Sequence, residues 1–244
     1  MKLSGHCVLI TGGSAGIGLS LATRLSKLGN KVIIASSSQE KLNQAVQSCP
    51  TLIPYACNLD NLEALPAFAE KLIAEHPDLN LLINNAGIQF RYNWLTEPDI
   101  PVKINREIRV NLISAMQMCS AFLPHLAKKP EAAIVNVSSG LGLVPKKEAP
   151  VYCATKAAIH IFTKSLRYQL ADTTVKVFEI IPPLVDTELT QGRGKGKISP
   201  DQLTDEFINA FERNRYEIRI GKVKLLNLIN RLAPAVADRI MRDR

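Results

Sequence analysis

The chain has 244 residues, of which 46% are hydrophobic and 21% are charged, and its formal net charge is +8. This size and composition suit one large domain with a well-buried core. No apolar run approaches the roughly 20 residues that cross a bilayer, and the N-terminal segment leads into glycines without a cleavable signal pattern. We therefore predict a cytoplasmic protein without a membrane span.

Cysteine and charge patterns narrow the choice of partners. The five cysteines form no CxxC motif and no Cys/His cluster at zinc-site spacing, so we expect reduced thiols and no bound metal. Residues 191–244 contain 12 Lys or Arg against 7 Asp or Glu, so most of the positive excess lies there. Such an excess suits an anionic cofactor, a membrane surface or nucleic acid. The tail shows no aromatic interleaving or binding motif, so we predict no nucleic-acid partner.

The first third of the chain alternates short apolar strands with amphipathic helices. The run HCVLIT (6–11) predicts a strand, and apolar residues at helical spacing predict a helix over 17–28 that Gly29 ends as a C-cap. Further strands are predicted at 31–35, 52–56 and 80–84, and further helices at 39–48 and 65–73. Pro66 is compatible with the first turn of its helix.

The same alternation continues to the C-terminus. A long helix is predicted over 103–128, with an apolar face formed by Ile104, Ile108, Leu112, Ala115, Cys119 and Phe122. Strands are predicted at 132–138, 175–181 and 216–220, and helices at 151–171 and 200–214. Because the strands are short and often unalternating, helices should cover both sheet faces. The pattern predicts a single-domain α/β fold over 1–244, a Rossmann-type doubly wound parallel sheet of about seven strands.

A glycine-rich turn, TGGSAGIG (Thr11–Gly18), lies between the first predicted strand and helix. Gly12, Gly16 and Gly18 permit a tight turn, close approach of a pyrophosphate to the backbone, and close packing of helix on sheet. The N–H groups and positive dipole end of the helix would face the phosphates. The turn predicts dinucleotide binding, and a glycine-rich turn without a ligand is the alternative.

The helix over 151–171 carries Tyr152 and Lys156, which lie one turn apart on the same face. A phenol with a pKa of about 10 is a poor base at neutral pH. A neighbouring ammonium favours the phenolate, which is the form that can accept a proton at neutral pH. An exposed aromatic residue beside an exposed charge would have the same spacing, so the interpretation depends on the other motifs.

The motifs follow one another in a recognisable order. They are the glycine turn, NNAG (Asn84–Gly87), Val110-Asn111, NVSS (Asn136–Ser139), and Tyr152 with Lys156. This set, with Ser139 thirteen residues before Tyr152, resembles that of the short-chain dehydrogenase/reductase family over roughly residues 4–190. The later segments IIPPLVDTEL and YEIRIGKVKLLNLINRLAP more loosely resemble the DltE-type oxidoreductase branch.

The resemblance implies hydride transfer between NAD(P) and a small-molecule carbonyl or secondary alcohol substrate. It makes Tyr152 the general acid/base, and Lys156 the cation that favours phenolate and holds the nicotinamide ribose hydroxyls. Ser139 would hydrogen-bond the reacting oxygen. Asn111 would help to hold a water-linked proton path to Lys156, or would be a buried polar residue that needs a partner.

The resemblance also implies the residues that contact the cofactor. Besides Tyr152 and Lys156, they are Gly12, Ser14, Gly16, Ile17, Gly18, Ser36, Ser37, Asn58, Leu59, Asn85, Ala86, Gly87, Pro182, Val185 and Thr187. Two positions depart from the family pattern. Asn58-Leu59 occupies the position where the family often has Asp-Val, although an amide oxygen can still accept a hydrogen bond from the adenine amine. Pro182-Pro183 occupies the position of the common Pro-Gly. The NNAG segment would close the nucleotide pocket or stabilise the central sheet.

The segment ASSSQEK (35–41) bears on the choice between NADP(H) and NAD(H). An acidic residue at position 36 would mark NAD(H), and an arginine at position 37 would mark NADP(H). The chain has Ser36 and Ser37 instead. With no carboxylate to repel a 2′-phosphate and Lys41 close by, we predict a slight preference for NADP(H), limited by the lack of a bidentate arginine.

Two C-terminal segments allow alternative interpretations. TQGRGKGK, within about 188–199, predicts a flexible substrate loop, with a plain surface loop as the alternative. The extension over about 221–244 has a stripe flanked by basic residues and formed by Leu225, Leu228, Ile229, Leu232, Val236 and Ile240. Packing over the substrate pocket or another subunit is preferred to a membrane-surface role.

The resemblance implies pairing through the helices at 103–128 and 151–171, hence a homodimer or homotetramer. The alternative function is a catalytically idle dinucleotide-binding sensor or scaffold. The complete set of acid/base residues argues against it, because a scaffold needs none of them. Neither the substrate nor the reaction direction follows from the residues.

Overall fold

The central sheet of the computed structural model, which describes residues 1–91 and 93–242, contains seven parallel strands. They are β1 (Cys7–Thr11), β2 (Lys31–Ser36), β3 (Leu52–Ala56), β4 (Leu79–Asn84), β5 (Ala132–Val137), β6 (Val175–Ile181) and β7 (Glu217–Arg219). Their order is β3-β2-β1-β4-β5-β6-β7, so the strand order reverses between β1 and β4. The predicted doubly wound sheet is confirmed. Ligands of such sheets bind at the carboxyl ends of the strands beside this switch point.

Helices cover both faces of the sheet. They are α1 (Gly16–Lys27), α2 (Gln39–Ser48), α3 (Leu65–Glu75), α4 (Ile100–Ile108), α5 (Ser114–Leu126), α6 (Pro150–Gln169), α7 (Pro200–Glu212), α8 (Val223–Leu232) and α9 (Pro234–Arg242). Strand β1 is buried along its whole length because its residues alternate between two cores. Val8 and Ile10 pack with α1 and α7 on one face, whereas Cys7 and Leu9 pack with α3 and α5 on the other.

The predicted helix over 103–128 is wrong in its details. It begins at Ile100, and a π turn over Arg109–Ile113 separates α4 from α5. A π turn takes more residues than an α turn and rotates the following face. The residues buried along this segment are therefore Glu107, Asn111, Ser114, Met118, Cys119, Phe122 and Leu126. The predicted face is buried only at its end, and Ile108 and Leu112 stay partly exposed.

The C-terminal extension forms α8 and α9 against the loop after β5. Val223 packs next to Gly140, and the Lys147 backbone N–H donates to the carbonyl of Arg242 over 3.2 Å. The predicted aliphatic stripe is on the opposite side, with Leu228 52% and Leu232 73% exposed. The expected packing of this stripe over the pocket is therefore not found in the part of the chain that the structure describes. No helix among the described residues is both long and apolar enough to cross a membrane.

Candidate active site

A crevice of about 560 Å³ opens at the carboxyl ends of β1 and β4. Most of the predicted cofactor-contacting residues line it, namely Gly12, Ser14, Gly16, Ile17, Ser36, Ser37, Asn58, Leu59, Asn85, Ala86, Gly87, Tyr152, Lys156, Pro182 and Thr187. Two of the predicted residues do not. Gly18 lies beneath the glycine turn, and Val185 is 3% exposed in the core under α7.

The glycine turn has the shape and polarity that suit a pyrophosphate. A Cβ at Gly18 would lie 2.1 Å from the carbonyl oxygen of Gly12, and a Cβ at Gly12 would lie 2.9 Å from the Cα of Ala86. Helix α1 has no side-chain cap at Ala15 and no acidic residue in its first turn. Its first N–H groups can therefore bind an anion, and the dipole favours one there.

The NNAG segment fastens the glycine turn to the sheet and also lines the crevice. Asn85 Nδ2 donates to the carbonyl oxygens of Thr11 and Gly12 over 3.0 and 3.1 Å. Asn84 is 6% exposed and instead donates to Asn136 Oδ1 over 2.9 Å between β4 and β5. The two interpretations of NNAG therefore apply to different residues, with Asn84 stabilising the sheet and 85–87 lining the crevice.

Tyr152 and Lys156 line one part of the crevice, and Ser139 lies within hydrogen-bonding distance of Tyr152 without lining it. Burial raises the pKa of Tyr152 to about 12, opposite to the shift toward phenolate that the sequence predicted from Lys156, and a hydrogen bond with Ser139 opposes that increase. Burial also lowers the pKa of Lys156 to about 8. Lys156 Nζ donates to the carbonyl of Val137 over 2.8 Å and lies 5.8 Å from the centroid of the Tyr152 ring. This brings an acid, a cation and a hydroxyl together, as acid/base chemistry at a carbonyl oxygen requires.

Asn111 is held close to Lys156 without contacting it directly. Its Oδ1 accepts from the Ile88 N–H over 2.8 Å, and its Nδ2 donates to the Ile88 carbonyl over 2.8 Å and to Thr155 Oγ1 over 3.2 Å. The amide therefore ties the loop after β4 to α6. A Cβ at Gly87 would lie 3.4 Å from Asn111 Oδ1 and 3.5 Å from Lys156 Nζ, so Gly87 separates the two side chains.

A buried carboxylate next to this group was missed by sequence reasoning. Glu179 is 1% exposed and accepts from Ser138 Oγ over 2.5 Å, and its Oε2 lies 2.9 Å from His160 Nδ1. The hydrogen bond with Glu179 raises the pKa of His160 above its usual value. The charge of Glu179 also opposes the lowering of the Lys156 pKa. The available signal was a glutamate in the otherwise apolar end of VKVFEII.

The part of the crevice beside β2 carries more charge than the sequence indicated. Lys41 lines it and forms an ion pair with Glu188. Arg106 also lines it, with Nε 3.6 Å from Asp60 Oδ2. Arg106 was not identified because it comes from α4, far from the second strand in sequence. Among residues 1–91 and 93–242, no group of three His, Cys, Asp or Glu side chains is placed to hold a metal.

Comparison with known proteins agrees with this arrangement. Residues 6–197 match the family model described as short chain dehydrogenase. The uncharacterized oxidoreductase DltE of Bacillus subtilis is 42% identical over 92% of this chain and 91% of its own length. The NADP-dependent 3-hydroxy acid dehydrogenase of Schizosaccharomyces pombe is 33% identical over 80% of this chain and 77% of its own.

Solved structures share the fold over the whole chain. A short chain dehydrogenase from Burkholderia cenocepacia in complex with NADP has a TM-score of 0.87 at 26% identity, covering 99% of both chains. An enzyme of the same kind from Burkholderia phymatum, in complex with NAD, has a TM-score of 0.85 at 20% identity, covering 100% of this chain and 97% of its own. Both kinds of nicotinamide cofactor therefore occur among proteins of this shape.

Proposed function

Because the chain belongs to the short-chain dehydrogenase family, in its DltE-type branch, and is an NAD(P) oxidoreductase acting on CH–OH or C=O groups, we propose that Tyr152 is its general acid/base. The observation that supports the role most directly is that Tyr152, hydrogen-bonded to Ser139 and close to Lys156, lines the same crevice as the glycine turn. An idle dinucleotide-binding scaffold would not need this group of residues.

The cofactor would supply the hydride, and the protein supplies binding, orientation and the proton. In the reduction direction, Tyr152 gives its proton to the substrate oxygen while Ser139 holds that oxygen by a hydrogen bond. The phenolate that remains is stabilised by the Lys156 ammonium, which the Val137 carbonyl holds in place. Asn111 keeps the loop after β4 against α6 and so maintains the position of Gly87 beside Lys156.

The same crevice supports a slight preference for NADP(H) over NAD(H). Ser36 and Ser37 line it where an acidic residue would repel a 2′-phosphate, and Lys41 and Arg106 line it as cations. Glu188 and Asp60 pair with those two cations, so the positive charge is partly balanced. The preference should therefore be small.

We further propose a single catalytic domain that pairs into a homodimer or homotetramer in the cytoplasm. Ile161 and Tyr168 are 60% and 66% exposed on the outer face of α6, as expected of a surface that a second copy covers. The stripe on α8 and α9 would be covered in the same way, and a membrane surface is the alternative occupant. Flotation with anionic vesicles at low and high salt separates the two, because only membrane binding carries the protein with the vesicles, and salt weakens the attraction to anionic lipid.

The loop at 188–199 would open and close over the substrate. Gly192, Gly194 and Gly196 all have positive φ, with φ values of 70°, 57° and 68°. The base of the loop is held by a backbone hydrogen bond from Asp186 N–H to the Ile198 carbonyl over 2.9 Å. Glycines between fixed ends can absorb the dihedral changes of a hinged loop.

The test of the proposed function is turnover of a panel of carbonyls and secondary alcohols with both cofactors. We expect activity from the natural chain, and a loss of about 100-fold or more in kcat in Tyr152→Phe with cofactor affinity retained, because only the proton donor is removed. Tyr168→Phe on the exposed face of the same helix is the matched control. Near-normal turnover in Tyr152→Phe would refute the role of this tyrosine.

A further inference from the structure

Three cations from three different loops lie close to one another near the start of α6. Arg91 follows β4, Lys146 follows β5 and Arg193 follows β6. None of the three lines the crevice assigned to the cofactor. Lys146 is tied to the tyrosine helix because its carbonyl accepts a weak contact from Cys153 Sγ at 4.0 Å. Arg193 is close enough for its charge to lower the pKa of Tyr152, against the larger effect of burial.

Arg193 is partly buried at the tip of the loop at 188–199, between exposed neighbours. Residues 191, 192 and 194–196 are all exposed, whereas Arg193 is partly buried. Gly192 and Gly194 on its two sides have positive φ, which turns the backbone at both neighbours. Its guanidinium donates to Oε1 of Gln89, in the loop after β4. The loop therefore delivers one cation toward the acid/base group.

Carboxylates balance this cluster only in part. Glu148 forms an ion pair with Arg91, and its Oε2 lies 3.8 Å from Lys146 Nζ. The Lys146 side chain is only 10% exposed, and burial lowers its pKa. Glu107 is buried nearby and accepts from the Phe90 N–H over 3.0 Å. Glu148 thus serves both Arg91, which is 41% exposed, and Lys146, and a poorly hydrated charge such as that of Lys146 is costly without a full partner.

A donor next to the cluster also lacks an acceptor. Nε2 of Gln89 is buried without a hydrogen-bond partner among the described residues, while Oε1 of the same amide accepts from Arg193. A buried polar group of this kind normally has a partner. An anion between Gln89, Arg193 and Lys146 would accept a hydrogen bond from the Gln89 amide. The same anion would balance the positive charge of the two cations.

We propose, on the basis of the proposed function, that the substrate carries a carboxylate or phosphate group, which Arg193, Lys146 and Gln89 bind while its carbonyl lies at Tyr152. A guanidinium suits such a group because it can donate two parallel hydrogen bonds to it. Binding the anion would also hold the loop at 188–199 over the site. The proposal thus identifies the class of substrate rather than the reaction.

Matched substrates test the proposal. Acetoacetate is compared with methyl acetoacetate for the carboxylate, and dihydroxyacetone phosphate with dihydroxyacetone for the phosphate, each with saturating cofactor. We expect kcat/KM for one anion to exceed that of its neutral partner by about tenfold or more, since charge-assisted hydrogen bonds are the stronger ones. Which pair shows the difference identifies the anion.

Variants of the loop locate the effect. Arg193→Ala should lower kcat/KM for the preferred anion by about tenfold or more relative to its neutral partner, mainly through KM, and should leave the cofactor KM unchanged. Arg193→Lys should restore part of the loss. Lys195→Ala, on an exposed residue of the same loop, is the control for charge and loop packing.

Two results would overturn the proposal. One is equal kcat/KM for both members of each pair in the natural chain, and the other is an equal loss for anion and neutral substrate in Arg193→Ala. Turnover of neutral ketones that depends on Tyr152 would then still support the proposed function. If no carbonyl in the larger panel is turned over, the proposed function fails and this inference fails with it.

Discussion

The ammonium of Lys156 lies 5.8 Å from the centroid of the Tyr152 ring and donates to the Val137 carbonyl over 2.8 Å. The lysine is 4% exposed, so the fold keeps a cation where hydration is poor. Such a position is unfavourable for stability and favourable for a neighbouring phenolate. The pair therefore predicts opposite effects of one substitution on stability and on activity.

Lys156→Met should stabilise the cofactor-free protein while abolishing turnover. The lysine pKa is lowered from 10.5 to about 8, so burying the charged form costs about 3 kcal/mol near pH 7. Removal of the hydrogen bond to Val137 offsets about 1 kcal/mol of this gain. We expect the free energy of unfolding, measured with denaturant, to rise by about 2 kcal/mol near pH 7.

The increase in the free energy of unfolding in Lys156→Met should become smaller as pH rises. Between pH 8 and 10.5 the unfolded chain binds more protons at Lys156 than the folded chain, so the natural protein becomes more stable as pH rises. The advantage of Lys156→Met should therefore shrink across that range. Lys164→Met, on an exposed residue of the same helix, should show no such trend. A pH-independent difference would contradict the lowered pKa.

His160 and Glu179 should produce the opposite pH dependence. The hydrogen bond with Glu179 raises the His160 pKa above 6.5, so its stabilisation is complete below 6.5 and is lost as pH rises through the folded-state value. His160→Gln should cost about 1–3 kcal/mol at low pH and less at high pH, as measured by denaturant unfolding at several pH values.

A second histidine serves as a control of opposite sign. Burial lowers the pKa of His125, so the folded chain binds fewer protons there and becomes more stable as pH rises toward 6.5. The free energy of unfolding of His125→Gln should therefore fall relative to that of the natural protein as pH increases toward 6.5. Parallel trends in the two variants would refute the role given to Glu179.

Ser36→Asp should move the cofactor preference toward NAD(H). A carboxylate at this position of the crevice would repel a 2′-phosphate and accept from the adenosine ribose hydroxyls. We expect the ratio of kcat/KM for NADPH to that for NADH to fall by about tenfold or more, because two negative groups held close together repel strongly. Ser37→Arg should raise the same ratio.

The charge itself needs a control away from the crevice. Gln47→Glu adds a negative charge to an exposed position of α2 and should leave the ratio unchanged. If Ser36→Asp left the ratio unchanged as well, the 2′-phosphate would not bind beside this serine. A much higher kcat/KM for NADH in the natural chain would contradict the predicted preference directly.

Ile161→Glu should dissociate the proposed oligomer. Ile161 is 60% exposed on α6, and a charge there would be buried without a partner if a second copy covers this face. We expect light scattering after size-exclusion chromatography to show a smaller particle. If the C-terminal extension forms the contact instead, Leu232→Glu on the exposed stripe of α8 should give the smaller particle. A particle unchanged by Ile161→Glu would remove α6 from the interface.

Local patterns along the sequence predicted the strands, the glycine turn and the Tyr152–Lys156 pair. The alternation of apolar runs with helical repeats placed β2, β3 and β6 to within one residue. Tyr152 and Lys156 lie on one helix, so their spacing alone puts them one turn apart. These features depend on residues that are close in sequence, where helix and strand periodicity is decisive.

Only the tertiary structure decided which distant residues join them. The π turn at Arg109–Ile113 buries Asn111 beside Thr155 of α6. A regular 3.6-residue helical repeat would not have predicted this contact. Glu179 reaches Ser138 because β5 and β6 are neighbours in the sheet. Arg193 meets Gln89 across 104 positions in the chain. Contacts of this kind follow from the packing of sheet and loops, so residue spacing does not encode them.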